Sequence, residues 1–280
     1  MSTFSYGLTA LESPFTHFSI SMFQTIIFEN TDGIARITLN RPEVLHALSP
    51  VMLQELLTAL QQAETDPTVR VVLLTAAGNK AFCSGADLKA TTNAGKSAGE
   101  LLETYYNPLI LAMRNIAKPV VCKLNGLAAG AGASLALACD VVIAHEQVYL
   151  SQIFVRIGLM PDAGATFFLP RLVGLAKAFE LASTGRHVYA TEAAQIGLIS
   201  RVVPETDLDA AVDETLAYYK QAPTAAIGAM KQVLNQSMHS DLQTLLQLEA
   251  TNQNILSRTA DATEGILSFM QKRNPDYQGK

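Results

Sequence analysis

Hydrophobic and polar residues alternate strictly in the segment that follows residue 34. Ala35, Ile37 and Leu39 are apolar, and Arg36 and Thr38 between them are polar. A period of two is typical of a β-strand with one buried face. The next three residues are Asn, Arg and Pro. Because proline cannot donate a hydrogen bond to a strand ladder, the strand is predicted to end there.

A helix is predicted to follow this strand. Ser49 can cap the N-terminus of a helix, and Pro50 has the fixed φ that a first helical turn accepts. Apolar residues then recur at helical spacing as far as Ala63, at Met52, Leu56, Leu57 and Leu60. After the helix, residues 69–75 are apolar on both sides apart from Arg70. Such a run is typical of a buried strand in a parallel sheet.

Two more short strands are predicted at residues 120–124 and 141–144. Each follows a helical candidate, at about 98–117 and 130–139. A repeated order of strand, helix and strand implies right-handed crossovers within an α/β core. Beyond residue 203 helical stripes continue without intervening strands, so the last third is predicted to be a helical layer.

The chain is accordingly divided into three parts. Residues 1–21 have no clean periodicity and are interpreted as an N-terminal extension. Residues 22–203 form the predicted core, which carries the functional site. Residues 204–280 form a helical region that we expect to serve oligomerisation and to close the pocket, because no Gly/Ser-rich linker separates it from the core.

Composition and charge exclude several classes of protein. Of the 280 residues, 49% are hydrophobic and 16% are charged, which excludes intrinsic disorder and favours an oligomer that covers apolar surface. The net charge is −5 without a basic stripe, so no nucleic-acid partner is expected. Apolar runs are too short for a bilayer, and no lysine or arginine precedes Arg36, so neither a membrane segment nor a secretory or transit segment is expected. The three cysteines are widely spaced without a CxxC pair, which argues against disulfides and metal binding and favours a reducing cytoplasm.

Two turns made of small residues are the candidate catalytic segments. Residues 81–88 (AFCSGADL) and 125–133 (NGLAAGAGA) each follow a predicted strand and open a helix. The second turn supplies two glycines of a dinucleotide-binding GxGxxG pattern, but Leu135 occupies the third position and weakens that interpretation. Tight packing at a strand-to-helix turn is the plain alternative. Together the two turns can present bare backbone N–H groups to one oxygen atom, which is the arrangement of an oxyanion hole.

These two turns, together with residues 158–164 (GLMPDAG), resemble the enoyl-CoA hydratase/isomerase (crotonase) family. The similarity extends from about residue 25 to the C-terminus. It implies an α/β spiral of ββα units, an acyl-CoA thioester as substrate, and a homotrimer or a hexamer. Coenzyme A is then part of the substrate, and no separate cofactor is expected.

The resemblance also implies roles for individual residues. Ala86 and Ala131 match the two residues whose N–H groups bind the thioester oxygen. Asp162 resembles the catalytic acid/base of the family's 1,2-epoxyphenylacetyl-CoA isomerases, although a helix N-cap or a first-turn aspartate favoured by the helix dipole is the alternative that its spacing alone favours. The other predicted substrate-binding residues are Ala47, Leu48, Gly85, Asp87, Leu88, Gly130, Gly132, Tyr106 and Phe154.

Two departures from the hydratase pattern direct the functional prediction. Hydratases of the family place two glutamates around the double bond, and the matching positions are Ser134 and Phe154. An isomerase is therefore predicted, which shifts a double bond from the 3-enoyl to the 2-enoyl position or opens an aromatic epoxide. A hydratase with a single acid and a non-catalytic acyl-CoA-binding subunit are the alternatives. His46 is expected on the solvent side, and Cys83 is expected to serve packing.

Overall fold

Ten strands lie within residues 23–93 and 95–280, the part of the chain that the computed structural model describes; the extension predicted for residues 1–21 lies outside the described residues. The strands are β1 Ile26–Thr31, β2 Ile34–Leu39, β3 Val71–Ala76, β4 Ala81–Cys83, β5 Val120–Leu124, β6 Leu127–Ala129, β7 Val141–His145, β8 Tyr149–Ser151, β9 Val188–Tyr189 and β10 Arg201–Val203.

Helices surround these strands. They are α1 Pro50–Thr65, α2 Leu88–Asn93, α3 Ala98–Leu101, α4 Asn107–Asn115, α5 Ala131–Leu137, α6 Ala165–Val173, α7 Leu175–Thr184, α8 Ala190–Gln195, α9 Leu208–Gln221, α10 Thr224–Gln236, α11 Leu242–Leu256 and α12 Ala260–Gln271. A π-helical turn, Leu102–Tyr106, joins α3 to α4, and 3₁₀ turns occur at Pro42–Val44, Ile153–Ile157 and Glu205–Asp207.

The larger sheet has six strands in the order β1-β2-β3-β5-β7-β10. Strands β1 and β2 form an antiparallel hairpin, and the other neighbouring pairs are parallel. Asp32 and Gly33 connect the hairpin with φ values of 54° and 79°. A two-residue turn with positive φ at both positions matches the twist of the strands that it joins.

Successive ββα units build a spiral. The first strand of each unit (β3, β5, β7) enters the larger sheet, and the second (β4, β6, β8) enters a smaller sheet of order β4-β6-β8-β9. The pairs β4·β6 and β6·β8 are parallel. The predicted α/β spiral is therefore confirmed, and its small sheet carries the turns that the sequence singled out.

Strand β3 is buried on both faces, as residues 69–75 predicted. Val72 and Leu74 point toward the main core, which includes α1 and α4, whereas Val71 and Leu73 pack against α9 through residues such as Leu216. Because both faces are covered by helices, the apolar run needs no alternation.

Two other local predictions have different outcomes. Ser49 does cap α1, since its side chain accepts a hydrogen bond of 3.2 Å from the Met52 N–H. The candidate helix at 98–117 is interrupted, because the π turn lies between α3 and α4. The interruption is relevant to the site, because Tyr106 is the last residue of that turn.

Candidate active site

The two small-residue turns meet at the ends of β4 and β6. A Cβ atom placed on Gly85 would lie 3.7 Å from the Ala131 nitrogen, and one placed on Gly130 would lie 3.9 Å from the Gly85 Cα. Both glycines have positive φ, 109° and 51°. The backbones of the turns are therefore in contact, and a side chain at either glycine would be strained.

The Ala86 and Ala131 amides are available at this junction. Around Ala86, the Leu48 N–H donates to the Gly85 carbonyl and the Asp87 N–H donates to the Leu48 carbonyl, at 2.8 and 3.0 Å. In a parallel bridge of this kind the N–H of the intervening residue points the opposite way. Ala131 is the first residue of α5, where an N–H has no partner inside the helix. Neither amide has a backbone acceptor among the described residues.

Two other glycines let the chain approach β4 closely. A Cβ atom on Gly132 would lie 2.4 Å from the Cys83 carbonyl oxygen, and one on Gly126 would lie 2.5 Å from the Ala81 nitrogen. Real Cβ atoms do not approach backbone atoms so closely. Gly132, predicted as a substrate-binding residue, is thus placed where it sets the position of the adjacent Ala131 amide.

Asp162 lies in the turn before α6, and it does not cap that helix. The N-cap position is Gly164, which has no side-chain capping bond. The Asp162 Oδ1 atom is buried without a hydrogen-bond partner among the described residues. Burial raises the pKa of this carboxyl group to about 6, because a low-dielectric environment disfavours the charged form. The N-cap interpretation of Asp162 is therefore wrong.

Tyr106 lies close to Asp162. The turn before α6 packs on α4, since a Cβ atom on Gly164 would lie 3.2 Å from Ile110 Cγ2. The Tyr106 side chain is buried, and its hydroxyl has no partner within residues 23–93 and 95–280. Burial raises the pKa of Tyr106, and the nearby charge of Asp162 raises it further. Two polar atoms without partners among the described residues, the Tyr106 hydroxyl and the Asp162 Oδ1, thus lie near each other.

The two positions that hold glutamates in hydratases have no carboxylate here. Phe154 is buried, and its Cζ atom lies 3.8 Å from the place that a Cβ on Gly130 would occupy. Ser134 is fully buried in α5, where its hydroxyl donates to the Gly130 carbonyl at 3.3 Å. Phe154 therefore covers the second turn with an apolar ring, and Ser134 is engaged with the backbone.

The side chain of Asp87 stabilises the first small-residue turn, residues 81–88. Its carboxylate pairs with Arg41 at 2.9 Å and accepts a hydrogen bond from the Ala90 N–H at 3.0 Å. Burial works against ionisation of Asp87, but the Ala90 N–H and Arg41 bring its pKa below the usual value. Each oxygen of this carboxylate is therefore already engaged within the chain. Leu88, the next predicted residue, is 59% exposed at the start of α2.

Ala47 and Leu48, the other predicted contacts, are buried beside this turn. Their N–H groups already donate within the chain, to the Val44 and Gly85 carbonyls. The Ala47 carbonyl accepts a hydrogen bond of 2.6 Å from Arg41. Arg41 was missed by sequence reasoning, because its charged partner Asp87 lies far away along the chain and its position only marked the end of a strand.

His46 corrects a prediction. It was expected on the solvent side, but it is only 2% exposed. Its Nδ1 accepts from the Arg41 N–H and its Nε2 lies near the Ala77 carbonyl, both at 3.0 Å. Burial lowers the pKa of His46, so the neutral ring is favoured. The neighbouring Cys83 thiol is buried, and burial raises its pKa to about 12, as suits a packing residue.

Residues 23–93 and 95–280 contain neither a metal-ligand cluster nor a helix that could span a membrane. No group of three His, Cys, Asp or Glu side chains in this part could hold a metal ion. None of its helices combines the length and the apolar character needed to span a bilayer.

Comparison with known proteins adds to this geometry. The family model described as "Enoyl-CoA hydratase/isomerase" matches residues 29–280. A Rhodobacter capsulatus protein named "Probable enoyl-CoA hydratase" is 42% identical over 258 residues, 92% of this chain and 99% of the relative. The 1,2-epoxyphenylacetyl-CoA isomerase of Escherichia coli is 38% identical over 263 residues, 92% and 100% of the two chains. The crystal structure of an enoyl-CoA hydratase from Bacillus anthracis has a TM-score of 0.84 at 35% identity, covering 92% of this chain and all of that one.

Proposed function

Because the chain belongs to the enoyl-CoA hydratase/isomerase family, we propose that it is an acyl-CoA isomerase with a single proton-carrying carboxylate. Its substrate is a CoA thioester, whose double bond moves from the 3-enoyl to the 2-enoyl position. An aromatic epoxide on the acyl group is the second form of the same substrate class, supported by the similarity to the E. coli epoxide isomerase.

One observation carries the proposal. Asp162 is half-buried, and its buried Oδ1 atom has no hydrogen-bond partner among the described residues, while the two positions of the hydratase glutamates hold Ser134 and Phe154. Hydration by the two-glutamate mechanism of the hydratases needs a second carboxylate to activate water. Proton transfer between two carbon atoms of one substrate needs one base that can later act as an acid.

The proposed mechanism begins at the two amides. The N–H groups of Ala86 and Ala131 hold the thioester oxygen and stabilise the negative charge that develops on it. The Asp162 carboxylate takes a proton from C2, and the electron pair of that C–H bond is delocalised toward the thioester oxygen and C4. The same proton or its equivalent is returned to C4, so a C2=C3 bond replaces the C3=C4 bond and no atom is gained or lost.

The surroundings of Asp162 suit this double role. A carboxyl group with a pKa of about 6 is mostly ionised at pH 7 and can accept a proton, and it is a stronger base than an exposed aspartate. Phe154 makes the site drier, which protects an enolate from protonation by water.

The Asp162→Asn variant tests the proposal. With 3-hexenoyl-CoA in heavy water, the unaltered protein should form 2-hexenoyl-CoA and incorporate deuterium at the reacting carbons. The amide side chain of the variant cannot accept the proton, so the rate should fall by about 10²–10⁴-fold, while binding of hexanoyl-CoA measured by calorimetry stays within about threefold. An active Asp162→Asn variant would overturn the assignment.

A hydratase with a single acid is the second candidate, favoured by the name of the 42% identical relative. It would hydrate 2-butenoyl-CoA at a rate comparable with the isomerisation of 3-enoyl thioesters. A non-catalytic acyl-CoA-binding subunit would bind thioesters without deuterium exchange at C2. The heavy-water experiment with mass detection therefore separates all three functions.

We also propose a homotrimer or a hexamer as the working form. Large apolar side chains are exposed on the C-terminal helices, including Leu242, Phe269 and Met270 at 72%, 85% and 73%. Side chains of this kind are usually covered by a neighbouring surface. Light scattering should give a mass of three or six chains; a monomer at micromolar concentration would contradict this assignment.

A further inference from the structure

The Tyr106 hydroxyl is a buried donor that has no acceptor among the described residues. Its side chain is 5% exposed, and its oxygen has no hydrogen-bond partner in the part of the chain that the structure describes. A hydroxyl placed in this way lowers stability, because it loses its bonds to water and gains none. Polar groups left unsatisfied in this way often belong to functional sites.

Its position relates the hydroxyl to the reacting atoms. The charges that raise the pKa of Tyr106 after burial are those of Asp162, Cys83 and Asp87. Cys83 and Asp87 flank the turn that carries the Ala86 amide, and Asp162 is the proposed proton carrier. Tyr106 is thus near both the turn that carries the Ala86 amide and the carboxylate of the proposed proton carrier.

The π turn is what presents this side chain. Leu102–Tyr106 inserts a wider turn between α3 and α4, and such turns change which residues face inward. Tyr106 is buried, whereas the adjacent Tyr105 is only partly buried. The same residue type therefore occurs at two successive positions with different exposure, which provides a matched control.

We propose that the Tyr106 hydroxyl donates a hydrogen bond to an oxygen atom on the acyl group, next to the carbons that Asp162 serves. It is thereby a specificity-determining residue that favours oxygen-bearing acyl groups, such as a ring epoxide or a cyclic ether, over hydrocarbon acyl groups. This inference rests on the proposed function for its placement of the substrate.

The chemistry of the site favours an ether-type oxygen as the partner. The thioester oxygen is already served by the Ala86 and Ala131 amides, so it does not need a third donor. Asp162 is near, but its Oδ1 and the Tyr106 oxygen do not bond each other in the free protein. An ether or epoxide oxygen accepts only, and the neutral phenol supplies the donor. A hydrocarbon acyl group offers no acceptor, so the hydroxyl stays unpaired and the binding free energy of one hydrogen bond is lost.

A stable pair of ligands tests the proposal without turnover. In (tetrahydropyran-2-yl)acetyl-CoA a ring oxygen replaces one ring CH₂ of cyclohexylacetyl-CoA, beside the ring carbon that is C3 of the acyl chain. The unaltered protein should bind the cyclic ether with a preference that Tyr106→Phe reduces by about five- to tenfold, the size of one hydrogen bond. Tyr105→Phe should keep the preference, because it removes the same atom from the neighbouring ring.

One further measurement separates this role from a structural one. Tyr106→Phe removes only an unpaired hydroxyl, so its thermal unfolding midpoint should equal or exceed that of the unaltered protein. If Tyr106→Phe weakens both ligands equally, or if the unaltered protein has no preference for the ether, the proposal is wrong.

Failure of the proposed isomerase function would be detected by deuterium exchange and not by the ligand preference. A protein without deuterium exchange at C2 of 3-hexenoyl-CoA is not the isomerase, whatever its ligand preference. If instead exchange occurs and the ether preference is absent or unaffected by Tyr106→Phe, the isomerase stands and the role of Tyr106 falls.

Discussion

Gly132 packs against the backbone of Cys83 so closely that a Cβ atom on Gly132 would lie 2.4 Å from the Cys83 carbonyl oxygen. This contact joins α5 to β4 and holds the turn of Ala131 against the turn of Gly85. The oxyanion hole that we propose therefore depends on the absence of a side chain one residue beyond the donor amide.

Gly132→Ala should displace that amide. The added methyl group has to move backbone, and we expect a stability loss of about 1–3 kcal/mol and a fall in kcat/KM of about 100-fold, the usual effect of losing one oxyanion donor. Urea unfolding and the isomerisation assay measure the two effects. Gly99→Ala is the control, since a Cβ there would meet nothing within 4 Å; it should retain activity. Full activity in Gly132→Ala would contradict the proposed role of this turn.

His46 gives the fold a dependence on pH. Burial lowers its pKa below the ordinary value of 6.5, so the unfolded chain binds a proton at a pH where the folded chain does not. Stability from this group is complete above pH 6.5 and is lost as the pH falls below it, by at most about 1.4 kcal/mol per pH unit.

The comparison with two variants isolates that contribution. Urea unfolding at pH 7.5 and 5.5 should give a smaller acid-induced loss for His46→Gln than for the unaltered protein, because glutamine does not titrate. His187→Gln, at an exposed position, should leave the loss unchanged. Equal losses in all three proteins would mean that His46 does not couple folding to pH.

Strands β2, β3, β5 and β7 of the main sheet were predictable because each carries a detectable pattern over five or six residues, whereas β1 and the three-residue β10 were not predicted. Residues 120–124 match β5, and the alternation at Ala35, Ile37 and Leu39 matches β2. Strands β4, β6 and β8 have three residues each, which is too few to establish a period of two. The small sheet therefore appeared in the sequence only through its glycines.

The site was predictable where it depends on backbone and unpredictable where it depends on distant side chains. The Gly85 and Gly130 turns are visible as small-residue motifs. The pairing of Arg41 with Asp87 is not, since nothing in the pattern of either segment specifies it. The buried His46 lies in a turn where Leu45 and His46 have positive φ, 52° and 55°, a conformation that non-glycine residues seldom adopt and that sequence patterns do not reveal.

The ion pairs of Asp140 should contribute much of the free energy that holds α10 against the core. Lys231, whose side chain is 6% exposed, lies 2.7 Å from Asp140, and Arg114 lies 2.9 Å from the same carboxylate. Asp140→Asn leaves both cations without their counter-charge, which we expect to cost about 3 kcal/mol in the free energy of unfolding. Glu214→Gln, in the exposed pair with Arg201, should cost less than about 1 kcal/mol. Similar losses in both variants would show that burial does not distinguish the two pairs.

The pH dependence of turnover tests Asp162 directly. The carboxylate has to be ionised to take a proton from C2, and its pKa is about 6. The value of kcat/KM should therefore rise about tenfold per pH unit below pH 6 and become constant above it. Asp162→Glu keeps a titrating carboxyl group, so a residual activity in that variant should retain an acid limb, whereas the residual activity of Asp162→Asn should lack it. An unaltered protein whose kcat/KM is constant between pH 5 and 7 would exclude a carboxyl group with this pKa as the base.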